Sequence, residues 1–87
     1  MYQLIFGKNF LNSAKKLDDN LKAKLKSSLD FLTLNPFHPT LHTKPLTGKL
    51  SNLHSLRLSI DYRVIFKITS PKEIFLIEVG HRKDIYR

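Results

Sequence analysis

The chain has 87 residues, no cysteine, and 15 lysine and arginine residues against 7 acidic ones, which gives a formal net charge of +8. This length predicts one domain over residues 1–87, and the lack of cysteine excludes disulfides and thiol chemistry. No apolar run approaches the roughly 20 residues that span a bilayer, and residues 1–6 are too short for a signal peptide. We therefore expect a cytoplasmic protein whose charge favours an anionic partner.

The first half of the chain predicts a strand followed by two helices. Residues 2–6 form a short apolar run with β propensity. Seven apolar residues then recur at helical spacing: Phe10, Ala14, Leu17, Leu21, Leu25, Leu29 and Leu32. The last four predict a helix over residues 19–34 with Asp18 as its N-cap residue. The leucine stripe is expected to face the core, and the alternative is a docking face for a helix of a partner protein.

The second half predicts a long connection and three strands. Residues 35–52 are rich in Pro, His, Thr and Lys, and so long a connection in a small domain is more often functional than idle. Alternating residues over 53–66 predict two strands joined at Asp61, with Arg57 and Arg63 on the less apolar face. Residues 74–79 are apolar at both parities, which predicts a central strand covered on both faces.

Four segments resemble the RelE/ParE superfamily of bacterial and archaeal toxins. They are K-P-L-T-G-K-L at 44–50, S-L-R-L-S at 55–59, D-Y-R-V-I-F at 61–66 and V-G-H-R-K-D-I-Y-R at 79–87. The resemblance implies an α+β domain of order β-α-α-β-β-β, with a small, mainly antiparallel twisted sheet and the N-terminal helical hairpin packed against it. It also implies an acidic antitoxin partner encoded by an adjacent gene.

The superfamily contains two activities. RelE-like members are metal-free, ribosome-dependent endoribonucleases that cleave mRNA in the 30S decoding site, whereas ParE-like members inhibit DNA gyrase. This chain resembles the first branch, because Arg63, Arg82 and Tyr86 stand where that branch carries catalytic groups. The resemblance therefore implies an mRNA interferase toxin that directs a 2′-hydroxyl at the adjacent phosphate, without a cofactor.

Such a reaction needs cationic donors and a proton acceptor. Arg63 and Arg82 suit the developing charge, because guanidinium stays protonated. RelE-like enzymes often carry lysines where this chain has Ser55 and Arg57, and Arg57 can hold phosphate but accepts a proton poorly. Three residues are left as candidates for the base: His81, Tyr86 and His54. Histidine titrates near neutrality, and His81 is preferred.

Five further residues are predicted to contact RNA: Lys44, Lys49, His54, Lys83 and Arg87. Of these, His54 shares the parity of Leu56, which places its ring at the core or its edge. His38 and His42 do not predict a metal site, because Pro39 between them spoils helical spacing and no cysteine completes a ligand set.

Two alternative functions stay open at this point. One is a ParE-like gyrase inhibitor. The other is a catalytically decayed module that binds RNA or an antitoxin, which the missing lysines would favour. Each arginine could also serve solubility or a salt bridge with one of three carboxylates: Asp61, Glu78 and Asp84. The sequence carries no information on oligomeric state.

Overall fold

The computed structural model describes residues 1–48 and 52–85. The elements in chain order are β1 (Gln3–Phe6), α1 (Lys8–Ala14), α2 (Asp19–Leu34), a 3-10 turn (Pro39–Leu41), β2 (Lys44–Pro45), β3 (His54–Arg57), β4 (Tyr62–Ser70), β5 (Glu73–His81) and α3 (Arg82–Ile85). The predicted α+β fold is confirmed. The strand β2 and the helix α3 were not predicted, because elements of two and four residues are too short to show a period.

The strands form one sheet in the order β1-β5-β4-β3-β2. The strand β1 runs parallel to β5, and the other neighbouring pairs are antiparallel. The prediction of a mainly antiparallel sheet is therefore confirmed. The strand β5 lies between β1 and β4, so the central position predicted for it is also confirmed.

Both long helices pack on one side of the sheet, which we call the helix face. The core on this side consists of Phe10, Leu17, Leu25, Leu32, Leu41, Leu56, Leu58, Val64, Phe66, Ile74, Leu76 and Val79. The predicted leucine stripe is core, since Leu25 and Leu32 are buried and Leu21 and Leu29 pack against them. Asp18 caps α2 as predicted, because its Oδ1 accepts the Leu21 N–H at 2.8 Å.

The strand residues of opposite parity point away from α1 and α2, and we call that side the outer face. Its members are Gln3, Ile5, Lys44, Ser55, Arg57, Arg63, Ile65, Lys67, Glu73, Phe75, Glu78 and Gly80. The prediction that the last strand is covered on both faces is wrong on this side. Phe75 is 38% exposed, whereas Ile74 and Leu76 on the helix face are fully buried.

The helix α1 is attached to the edge of β5 at the point where β1 ends. The Gly7 N–H donates to the Leu76 carbonyl at 2.9 Å, and farther along the same strand the Val79 N–H donates to Ser13 Oγ at 3.1 Å. These bonds give partners to backbone groups of β5 at the end of its pairing with β1 and beyond it. Within residues 1–48 and 52–85, no helix has the length and apolar character to cross a bilayer.

Candidate active site

Four of the predicted catalytic residues lie at one end of the sheet, around the turn between β3 and β4. Arg57 and Arg63 are cross-strand partners, so both side chains leave the same face of the sheet. Tyr62, at the start of β4, pairs with His81 at the end of β5. Arg82 follows directly as the first residue of α3. The fold thus brings together residues that are up to 25 positions apart in the chain.

The two cross-strand arginines differ in exposure. Arg57 is exposed, whereas Arg63 is only 7% exposed and donates from Nη1 to the carbonyl oxygens of Ser59, Ile60 and Tyr62 at 2.7, 3.0 and 3.0 Å. The predicted position of Arg63 on the same face as Arg57 is confirmed. Its burial was not predicted, and it means that the Arg63 guanidinium holds the β3–β4 turn in shape.

Asp61 connects this turn to α3. Its carbonyl accepts the Arg82 N–H at 2.7 Å, and its Oδ1 lies 3.7 Å from Arg82 Nε. The salt bridge that the sequence allowed between an arginine and Asp61 is therefore present at Arg82. This ion pair engages Nε of Arg82 and not its Nη groups.

The His81 ring is fixed on two sides. Its Nδ1 accepts the Lys83 N–H at 3.1 Å, and its ring meets the Tyr62 ring edge-on, with 5.5 Å between centroids. An Nδ1 that accepts a hydrogen bond carries no proton, so in neutral His81 the proton lies on Nε2. In this geometry His81 presents a hydrogen-bond donor, not a proton acceptor. The exposed Lys83 is the second residue of α3.

Two of the predicted RNA-binding residues lie farther along the sheet. Lys44 pairs with Ser55, which places it on the outer face in the row next to Arg57. His54 lies on the helix face as its parity predicted, with its ring 5.8 Å from Phe66 and 5.6 Å from Phe37. Its buried Nδ1 has no partner within the described part of the chain. The fold therefore places His54 away from the arginines.

A cleft of about 270 Å³ borders His81. It lies between the end of α1, the end of β5 and α3, and its lining includes Tyr62, Lys16 and Glu78. Both charge signs are present in its walls, together with an aromatic ring. The cleft offers space for a group the size of a nucleobase directly beside the His81 ring.

Three predicted site residues, Lys49, Tyr86 and Arg87, lie outside the described residues. In the rest of the chain, no group of three or more histidine or acidic side chains is placed to hold a metal ion. His38, one of the two histidines considered for a metal, instead caps the 3-10 turn, because its Nδ1 accepts the Thr40 N–H at 3.1 Å.

Sequence reasoning missed two residues of this region. Asp61 was placed at the junction of the two strands and among the possible salt-bridge partners, but it was not assigned to the site. Lys67 was not assigned to a site. It is exposed on the outer face, so the face carries the exposed cations Lys44, Arg57 and Lys67.

The fold is that of known toxins. The chain superposes on the toxin YafQ of E. coli with a TM-score of 0.82 at 17% identity, over 100% of both chains. It superposes on a chain of the archaeal RelE–RelB complex of Pyrococcus horikoshii with a TM-score of 0.78 at 22% identity, over 95% and 97% of the chains. It superposes on a chain of the toxin–antitoxin complex RelBE2 of Mycobacterium tuberculosis with a TM-score of 0.76 at 23% identity, over 93% of this chain and 98% of the other.

The sequence itself also matches a family model. Residues 4–86 match the model described as ParE toxin of type II toxin–antitoxin system, parDE. No curated protein matches the chain. The matched range includes all of the strands except Gln3 of β1, both long helices, and Arg57, Arg63, His81 and Arg82. The chain therefore belongs to the ParE toxin family of type II toxin–antitoxin systems, within the RelE/ParE superfamily.

Proposed function

We propose that this toxin is a metal-free endoribonuclease that cleaves translated mRNA on the ribosome. The observation that carries the proposal is the end of the sheet at the β3–β4 turn, where the exposed Arg57 lies on the outer face, His81 pairs with Tyr62 on the helix face, and the exposed Arg82 follows His81 at the start of α3. Guanidinium groups bind phosphate through two parallel hydrogen bonds, and here they are held on rigid strands and a helix start. This is the arrangement that a charged phosphate intermediate requires.

The reaction we propose is attack of a 2′-hydroxyl on its own adjacent phosphorus. The new P–O bond forms as the bond to the 5′-oxygen breaks, which leaves a 2′,3′-cyclic phosphate and a free 5′-hydroxyl. Arg57 and Arg82 stabilise the charge that develops on the non-bridging oxygens. Arg63 adds positive charge from beneath the surface and fixes the turn that carries Asp61.

The geometry of His81 and the family resemblance together indicate which residues take part in proton transfer. To take the 2′-hydroxyl proton at Nε2, His81 must carry a proton on Nδ1, which would break the hydrogen bond from the Lys83 N–H. We therefore propose that His81 donates from Nε2 to a phosphate oxygen and that Tyr86 takes part in proton transfer. Lys44, Lys49, Lys83 and Arg87 attract the RNA by charge.

The proposal includes a protein partner. The RelE–RelB and RelBE2 structures are toxin–antitoxin complexes, and a chain of net charge +8 favours an acidic partner. We propose that a neighbouring gene encodes an acidic antitoxin that binds and silences this toxin in the cytoplasm. Co-expression with that gene is expected to yield a stable complex, and recovery of the toxin alone would contradict it.

The test is brief induction in cells followed by mapping of mRNA 5′ ends. The wild-type chain is expected to produce new 5′ ends at in-frame positions of translated messages. Arg82→Ala is expected to abolish them, because one charge-stabilising donor is lost. Lys26→Ala, which removes an exposed lysine of α2 outside the proposed site, is the matched control and is expected to cleave like wild type.

A second candidate is inhibition of DNA gyrase, and the observation that favours it is the parDE description of the matching family model. The same induction separates the two. Intact messages with collapsing plasmid supercoiling would replace the nuclease by the gyrase inhibitor. Intact messages, normal supercoiling and healthy growth would identify a module that binds RNA or antitoxin without catalysis.

A further inference from the structure

An exposed aromatic ring and an exposed lysine lie side by side on the outer face, far from the catalytic end. Lys67 of β4 and Phe75 of β5 are cross-strand partners. Phe75 is 38% exposed although it lies on one of the inner strands of the sheet. In RNA-binding sheets an exposed aromatic ring of this kind stacks on a base.

The Phe75 ring has a built seat. A Cβ atom added to Gly7 would lie 2.6 Å from both the Leu76 carbonyl oxygen and Phe75 Cε1, and 3.1 Å from Phe75 Cζ, so the ring lies against the Gly7 backbone. Gly7 has φ −68°, which any residue adopts, so the glycine is required here for space. The ring thereby lies beside Gly7, the residue that follows β1, and Phe75 keeps 38% of its surface exposed.

Charges on the outer face are separated by strand. The cations Lys44, Arg57, Arg63 and Lys67 lie on β2, β3 and β4, whereas the carboxylates Glu73 and Glu78 lie on β5 with Phe75. A phosphate backbone is attracted to the first group, and bases, which carry N–H donors and π faces, suit the second. This separation matches a single strand of nucleic acid lying along β4 with its bases over β5.

We propose that the outer face carries a track for single-stranded RNA, in which Phe75 stacks on a base and Lys67 contacts the backbone. The track deepens the proposed function, on which it rests, by assigning a subsite to the same substrate. Lys67 is four residues from Arg63 on β4, a separation of about 13 Å at the usual strand rise. A few nucleotides of an extended strand would cover that distance, so the subsite serves RNA beyond the scissile phosphate.

Phe75→Trp provides the test, because the chain contains no tryptophan and the new indole is a single reporter. The probe is a short single-stranded 2′-O-methyl RNA, which lacks the nucleophile and cannot be cut. Binding is expected to quench the indole fluorescence of the Phe75→Trp protein through base stacking. Phe6→Trp is the matched control, since Phe6 is also exposed on an edge of the sheet but contacts Phe10 on the helix face. Its fluorescence is expected to stay unchanged.

Affinity gives an independent measurement. Phe75→Ala is expected to weaken binding of the same RNA by roughly tenfold, whereas Phe6→Ala leaves it unchanged. Lys67→Gln is expected to lower the salt dependence, the slope of log K against log salt, by about 0.7, the value for one phosphate contact on a single strand. Lys72→Gln, in the exposed β4–β5 turn, is the charge control and should leave the slope unchanged.

Three results would overturn the track. The first is binding of RNA that neither quenches the indole of the Phe75→Trp protein nor changes its salt dependence in Lys67→Gln. The second is no binding of RNA at all. The third is quenching of the indole by an acidic protein but not by RNA. The mapping of mRNA 5′ ends keeps the two proposals apart. In-frame cuts without these binding effects reject the track alone, whereas quenching of the Phe75→Trp protein by RNA without cuts in cells rejects the nuclease alone.

Discussion

The two faces of the sheet use the same alternating strands for different purposes. The helix face is apolar and buried, and its residues hold α1 and α2 on the sheet. The outer face has exposed cations and an exposed aromatic ring, yet Ser55, Arg63 and Ile65 on it are buried. Side chains that stabilise the domain and side chains offered to a ligand are therefore neighbours on the outer face, whereas the helix face serves stability.

The largest expected effect lies on the helix face. Leu32→Ala removes a fully buried side chain and should lower the free energy of unfolding by about 2–5 kcal/mol, through lost burial and the cavity left behind. Leu34→Ala, in the same helix but at a side chain 65% exposed, is the control and should change it by less than about 0.5 kcal/mol. Urea denaturation measures both, and equal losses would contradict the assignment of the core.

The next largest effect on stability is expected at Arg63, and its cross-strand partner Arg57 is the comparison. Arg63→Ala should lower the free energy of unfolding by about 1–3 kcal/mol, because three turn carbonyls lose their donor. Arg57→Ala should change stability by less than about 0.5 kcal/mol, since its side chain is exposed. In the mRNA cleavage assay Arg57→Ala should still lose activity. A stable Arg63→Ala protein would show that the buried guanidinium does not hold the turn.

Periodicity predicted the fold because each long element buries one side. The leucine stripe of α2 and the alternation of β3 and β4 predicted their faces correctly. The exposure of Phe75 could not be predicted in this way, because the composition of a strand does not tell which neighbours cover it. Gly7, which makes room for the Phe75 ring, is 68 positions away in the chain.

The site was predicted as a set of residue types but not as a geometry. The position of Arg57, Arg63, His81 and Arg82 at one end of the sheet followed from strand order and resemblance. The burial of Arg63 and the hydrogen bond at His81 Nδ1 depend on nearby carbonyl and amide groups whose orientation no side-chain pattern records. Sequence can therefore name catalytic candidates here, but it cannot separate a ligand-binding arginine from a turn-holding one.

Ser55→Ala is expected to change the free energy of unfolding by a smaller amount and in the opposite direction. Its buried hydroxyl has no hydrogen-bond partner within the described residues, and an unsatisfied buried polar group costs free energy. Ser55→Ala should leave the free energy of unfolding unchanged or raise it by up to about 1 kcal/mol. Ser13→Ala is the control and should lower it by about 1 kcal/mol, because Ser13 Oγ accepts the Val79 N–H. A loss at Ser55 comparable to that at Ser13 would reveal a hidden partner of the hydroxyl.

The smallest expected effect on stability is at Asp61, and it separates position from charge. Asp61→Asn keeps the backbone carbonyl that accepts the Arg82 N–H and removes the carboxylate that pairs with Arg82 Nε. Because both side chains are about half exposed, stability should change by less than about 1 kcal/mol.

Cleavage of mRNA in a translation extract is the more sensitive measurement for Asp61→Asn. Activity should fall a few-fold, because Arg82 is no longer oriented towards the phosphate, and Asp61→Glu should restore part of it. The difference from wild type should shrink at high salt, which screens an exposed ion pair. A deficit that is independent of salt and is not rescued by Asp61→Glu would mean that the turn, rather than the ion pair, positions Arg82. The position of Arg82 would then depend on backbone packing, as the positions of the core residues on the helix face do.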